Sequence, residues 1–262
     1  MINMPGFMKF KFINNIVKFS TSFLLLFILW EIAVFISEVP AYLLPPPRHV
    51  FRALIEVFTD GDMFLHVIVS LRRFAIAYIV SCALGILLGV LFGFFKIIWA
   101  LVEPIVLLLK PISPVAWTPF VMLWFGLGDA PAIFTIGIAG FFNMLLATIG
   151  AINSVGSSYM RVAQNFGLSK FQTLTKIILP ASFPYIAQGL RSALTASWIF
   201  LVAGELMGAT TGLGFFINDA RHTLRSDLIL AGIIIIGALG LLLDKLLQYL
   251  EKLAAKKWGL NI

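Results

Sequence analysis

Charge is scarce in this chain: Asp, Glu, Lys and Arg make up 12% of 262 residues, against 60% that are apolar. Soluble domains carry about a quarter charged residues, so the composition excludes one and places the chain in a bilayer. Cysteine is nearly missing. Cys82, alone inside an apolar run, supports neither a disulfide framework nor a Cys-rich metal site, and the redox compartment stays unread. The histidines His49, His66 and His222 are isolated in sequence, with no metal-ligand spacing between them, and are expected at surface positions. There is no G-x4-G-K-[ST] segment to cradle nucleotide phosphates and no H-E-x-x-H pair. Ser113 has no nearby histidine to act as its base. ATPase, metalloprotease and serine-hydrolase chemistry are therefore not expected in this chain, and neither is a metal or cofactor. Lys and Arg, 19 against 12 Asp and Glu, are scattered at the ends of apolar runs rather than clustered. That distribution fits membrane orientation and not nucleic-acid binding.

About 20 apolar residues cross the hydrocarbon core, and runs of this kind occur at 20–36, 64–95, 97–125, 131–152, 183–206 and 228–249. The expectation is an all-α, polytopic protein with six transmembrane helices, one transmembrane domain over 1–262. The first run follows Lys9, Lys11 and Lys18 as a signal peptide would, but it is long and no small-x-small cleavage site follows, so an uncleaved helix is expected. A polar connector, 38–62, opens with Leu44-Pro45-Pro46-Pro47 and continues as an amphipathic surface helix with Val50, Leu54, Val57 and Phe58 on one face. Gly85, Gly89 and Gly93, four apart, leave bare backbone where another helix packs closely. Pro111, Pro114 and Pro119 interrupt the third run, which must kink or break near mid-membrane. Six spans put both termini on one side. Lys9, Lys11, Lys18, Lys96, Arg161, Lys170, Lys176, Lys245, Lys252, Lys256 and Lys257 then share that side, with only Arg48, Arg52, Arg221 and Arg225 opposite. The positive-inside rule makes the richer side cytoplasmic.

Charges within spans are candidates for a solute pathway. Lys110 lies beside the proline break, where a cation and unwound backbone could meet an anion; the alternative is that it neutralises Glu103 or reaches a freed carbonyl. Glu205 either gates the pathway or pairs with a neighbour. Arg72 and Arg73 are expected to snorkel to the headgroups. Trp117 and Trp124 belong either to the pathway or to helix packing. A secondary transporter would also need a coupling-ion site, often with repeat symmetry, and the sequence offers neither.

The connection at 153–182 reads as a helix, a sharp turn and a helix. Val155, Tyr159, Val162 and Phe166 share one face, Gly167 can take the left-handed turn, and Ser169 with Gln172 has the spacing of a capping box. The second helix would present Phe171, Leu174 and Ile178 before Pro180 stops it. Such a hairpin either docks a soluble partner or lies on the headgroups.

The run Arg161-Val162-Ala163-Gln164-Asn165-Phe166-Gly167, followed after nine residues by Ile177-Ile178-Leu179-Pro180, resembles the EAA loop of ABC importer permeases, pattern E-A-A-x3-G-x9-I-x-L-P. Flanking stretches resemble the family too: Trp117-Thr118-Pro119, Leu123 to Gly128, Gly140-Phe141-Phe142, Leu179 to Pro184, Gly189-Leu190-Arg191, Leu201 to Glu205 and Gly212-Leu213-Gly214. The likeness runs from about residue 44 to the C-terminus and is similar to the branch serving nitrate, sulfonate, taurine, bicarbonate and thiamine-precursor uptake. It implies a type I importer permease fold, a homodimer of permeases, two cytoplasmic ATPase subunits that bind ATP and Mg, and an external solute-binding protein. By the same resemblance, Arg161, Val162, Ala163, Gly167, Ile177, Leu179 and Pro180 form the ATPase-coupling loop, and Lys110, Trp117 and Glu205 are candidate pathway residues. The implied solute is a small anion, with a thiamine or flavin precursor as the second choice. Arg161 departs from the family, reversing the charge of the usual glutamate.

Overall fold

The computed structural model describes residues 21–22, 24–37, 39–59, 61–155 and 165–257. Within them the chain folds into helices, with no strand among the described residues: α1 (Leu24–Ser37), α2 (Pro47–Thr59), α3 (Asp62–Phe94), α4 (Lys96–Leu109), a 3-10 turn (Pro114–Trp117), α5 (Thr118–Phe125), α6 (Asp129–Asn153), α7 (Lys170–Leu206), α8 (Leu213–His222) and α9 (Ser226–Lys257). The all-α expectation holds. Helices α3, α6, α7 and α9 are each long and apolar enough to cross a membrane. The third expected span is broken where its prolines fall: α4 and the stretch Pro114–Phe125 are bent by 88°. Counted as one span, that pair makes a fifth, and the shorter apolar α1 stands where the first was expected.

Helix α6 lies between α3 and α7. Its seam with α3 is a register of small against large: a Cβ on Gly85 would sit 2.7 Å from Met144 Cβ, one on Gly89 2.5 Å from Thr148 Cβ, and one on Gly93 3.1 Å from Ile152 Cβ. Without side chains there, the backbones approach close enough for dispersion contacts to hold the pair in an apolar solvent that offers no hydrophobic drive. Helix α7 approaches α6 similarly, with Gly189 against Ala147 and the far end of Met144. Of the hydroxyls trapped in these seams, Thr148 Oγ1 donates to Met144 O and Thr135 Oγ1 to Pro131 O within α6, both at 2.8 Å, while Ser197 Oγ of α7 donates across to Ile136 O at 3.1 Å.

Helix α9 is keyed on by Trp198 of α7, whose Nε1 donates to Ile236 O at 3.2 Å and whose ring meets Phe74 edge-on at 5.1 Å. Gly240 leaves room for the indole, since a Cβ there would lie 2.6 Å from Nε1. The surface helix α2 buries Val50, Ala53 and Val57, while Phe58 of the expected face is exposed. Its position is fixed by Arg225, which bonds Glu56 Oε2 and Asp227 Oδ1, both at 2.9 Å.

Pro180 does not stop the helix it was expected to end. Helix α7 runs through it because Leu174–Ile178 forms a π turn, Leu179 N–H reaching back to Leu174 O. The ladder changes register there, and Pro180 falls in the first turn of the following α stretch, where a missing amide costs little. The widened turn also divides the expected apolar face: Ile178 is buried and Leu174 half-buried, while Phe171 points away and is exposed.

Candidate functional site

The break between α4 and α5 opens a cleft of about 320 Å³ against α6 and α7. Its apolar walls include Ile112, Ile138, Phe142 and Phe200, and its polar groups are Lys110, Ser113 and Asn143. Lys110 ends α4, its N–H donating to Val106 O at 2.9 Å. Pro111 and Pro114 cannot donate to continue the ladder, and the chain turns before Ala116 N–H bonds Ser113 O at 2.9 Å. The Lys110 ammonium is exposed and forms no ion pair among the described residues, Glu103 included. Asn143 Nδ2 donates to Ala139 O at 2.9 Å. No carboxylate lines the cleft. Chemically it is an apolar slot with one cation and two neutral polar side chains, suited to an anion rather than a cation. Trp117, half-buried in the 3-10 turn, stands outside this lining, and Trp124 is exposed on α5.

At the C-terminal end of α7 the charges behave differently. Arg73 does not snorkel: its side chain is 2% exposed, and Glu205 is fully covered. Arg73 Nη1 bonds Glu205 Oε1 at 2.8 Å and Thr211 O at 2.5 Å, while Nη2 bonds Asp129 Oδ1 at 2.6 Å. Arg72 takes the other Asp129 oxygen. Glu205 also accepts from Ser70 Oγ, which lies 2.7 and 2.9 Å from its two oxygens, and from Gly214 N–H at 2.8 Å. Leu213 N–H in turn donates to Ser70 Oγ at 2.8 Å. Two opposite charges, each hydrogen-bonded on several sides, are the arrangement in which burial is tolerated. Gly212, at φ +117°, is required: a Cβ there would lie 2.5 Å from Glu205 Oε1. His66 is likewise not a surface residue. It is half-buried against Phe215 and Phe216, and its Nδ1 accepts from Gly212 N–H at 3.0 Å. The node ties α3, α6, α7 and α8 together, and Glu205 is one of its fixed members.

The other end of α7 carries the Gly167 turn. Gly167 has φ +64°, in the left-handed region, and the capping box forms as expected: Ser169 Oγ accepts from Gln172 N–H at 3.2 Å and Gln172 Oε1 from Ser169 N–H at 3.0 Å. Phe166 and Phe171, 78% and 73% exposed, flank this turn. Ile177, Leu179 and Pro180 are half-buried on the widened turn. Arg161, Val162 and Ala163 lie outside the described residues.

A family model described as binding-protein-dependent transport system inner membrane component matches residues 82–256, from within α3 through α9. The chain belongs to that family. The permease is 34% identical over 233 residues to the taurine transport system permease protein of Escherichia coli, covering 87% of this chain and 84% of the relative. It is 32% identical to the putative aliphatic sulfonates transport permease protein of Bacillus subtilis, covering 86% and 81%. It is 35% identical to the bicarbonate transport system permease protein of Synechococcus elongatus, covering 86% and 84%. The permease is thus a multi-pass inner-membrane transport component.

Of the residues singled out in the sequence, Lys110 lines a cleft, Glu205 is locked in the buried node, and Gly167 with Ile177, Leu179 and Pro180 surrounds the start of α7. Asn143 went unnoticed because a lone asparagine in an apolar run carries no spacing signal. Ser113, weighed only as a nucleophile, enters the cleft as a polar wall.

Proposed function

We propose that this permease forms the translocation pathway of an importer for a small oxyanion, taken up past the break in the third span. Two copies pair as a homodimer, receive solute from an extracytoplasmic binding protein, and are driven by cytoplasmic ATPase subunits that hold ATP and Mg. The termini and the 153–182 loop are cytoplasmic on this reading, and Arg161, Val162, Ala163, Gly167, Ile177, Leu179 and Pro180 make up the ATPase contact, where alternating access is coupled to nucleotide closure. The observation that carries the solute class is the Lys110 ammonium, without an ion-pair partner among the described residues, in a slot whose described lining holds no carboxylate. Relatives named for taurine, aliphatic sulfonates, bicarbonate and, in Leptolyngbya laminosa, nitrate support the same class.

Each of these solutes presents oxygens that a lysine can bond, and a charge-assisted hydrogen bond contributes about 1.5–3 kcal/mol. In proteoliposomes holding the complete assembly, Lys110→Gln therefore lowers the rate of taurine, bicarbonate or nitrate uptake, whichever the assembly carries, by about tenfold to a hundredfold. ATP hydrolysis by the partner continues. Unchanged uptake by Lys110→Gln would remove Lys110 from the pathway.

A further inference from the structure

A second basic cleft lies at the Gly167 end of the bundle, about 330 Å³ in volume, away from the proline break of the third span. It is built where four spans end or begin: α3 closes at Phe94, α4 opens at Lys96, α6 closes at Asn153 and α7 opens at Lys170. Lys96 and Lys170, far apart in sequence, line it together, and among the described residues no carboxylate does. Neither lysine has an ion-pair partner among the described residues. The amino end of α4 adds to the positive potential, since no side chain caps it and its free N–H groups carry the helix dipole. The remaining wall is mostly apolar, with Phe94, Phe95, Ile152 and Ile178, and Asn153 adds a neutral polar side chain.

We infer that this cleft binds a phosphate-bearing anion between Lys96 and Lys170. Two ammonium groups and an uncapped helix end match a phosphate oxygen set. The cleft lies at span ends beside the aromatic pair Phe94 and Phe95, and span ends are where lipid headgroups meet a membrane protein. The apolar side chains Phe94, Phe95, Ile152 and Ile178 beside the two lysines favour a phospholipid phosphodiester over free phosphate. The inference rests on how the span ends pack and is independent of the importer reading.

The test titrates the purified full-length permease in detergent with short-chain phosphatidylglycerol, short-chain phosphatidylcholine and inorganic phosphate at constant ionic strength, following the melting temperature. Phosphatidylglycerol stabilises the wild type with a half-saturating concentration that rises at least tenfold in Lys96→Gln/Lys170→Gln. It stays unchanged in Lys252→Gln/Lys256→Gln, which removes exposed bases of α9 instead. Lys96→Arg/Lys170→Arg keeps the charge and retains binding, which separates loss of the site from loss of the fold. If inorganic phosphate shows the same lysine dependence and phosphatidylglycerol adds nothing, the anion is free phosphate and the site stands. Equal responses of the wild type and the Lys96/Lys170 variant to both ligands, or an equal loss in the α9 variant, would overturn it.

Discussion

Arg73→Met unfolds the permease at a melting temperature lower by on the order of 10 °C, whereas Arg72→Met next to it shifts the midpoint by no more than a degree or two. Both arginines bond Asp129, but only Arg73 is buried, its side chain 2% exposed against 58% for Arg72. Removing Arg73 leaves the Glu205 carboxylate in the protein interior with only Ser70 and Gly214 N–H. Breaking a buried pair from one side costs about 3–5 kcal/mol, because the remaining charge loses its partner without regaining water. An exposed pair contributes about 0–1 kcal/mol. The asymmetry has a further consequence. Arg73→Met combined with Glu205→Leu removes both charges, and the double variant recovers part of the stability lost by either single change. Thermal unfolding of the four proteins in one detergent closes the cycle. Additive losses would mean that the two residues do not act as a pair.

Gly89→Val is the second large effect. A Cβ at position 89 would stand 2.5 Å from Thr148 Cβ and 3.0 Å from Leu145 O, so α3 and α6 must separate along the seam. Overpacking costs about 1–3 kcal/mol in a well-packed core, and a branched residue against backbone lies at the upper end. Gly237→Ala, where a Cβ meets nothing within 4 Å, is the matched control and is neutral or slightly stabilising. Moving the gap to the other helix, with Gly89→Ala and Thr148→Gly together, restores part of the loss, since the new Cβ still stands 3.0 Å from Leu145 O. Detergent-solubilised yield and melting temperature distinguish these three. Indifference to Gly89→Val would contradict the close approach of α3 to α6.

The features that were legible in the sequence are those fixed by near neighbours. The Gly85, Gly89, Gly93 row announces a close contact through its spacing alone, and the structure supplies Met144, Thr148 and Ile152 as the partners. Ser169 and Gln172 cap a helix from three residues apart, and Pro111 and Pro114 break one. The buried node was illegible for the opposite reason. Arg73 and Glu205 stand 132 residues apart, and nothing local to either says that it is buried rather than at the headgroups. His66 was misplaced with them, since its acceptor role depends on Gly212 arriving from another loop. Pro180 misled because its helix-stopping chemistry is local, while the π turn that absorbs it, between the buried Thr173 and Ile178, leaves no spacing signal in the sequence. Lys110 remained undecided in sequence between a neighbour and a solute, and the absence of an ion-pair partner for it among the described residues favours the solute.

The central claim, that the turn at Gly167 transmits the work of a separate ATPase to the permease, is tested most directly by Gly167→Pro. Proline fixes φ near −65° and cannot adopt the +64° of this turn, and the substitution lies at the opposite end of α7 from the buried node. Proteoliposomes containing the permease, its candidate ATPase and the binding protein are assayed together for vanadate-sensitive ATP hydrolysis and for solute uptake. The expected result is ATP-dependent uptake by the wild type, and in Gly167→Pro a protein of normal melting temperature whose uptake falls at least tenfold while the ATPase, if it hydrolyses ATP, does so without transport. Uptake by Gly167→Pro at the wild-type rate, or wild-type uptake that persists without the ATPase, would contradict the account.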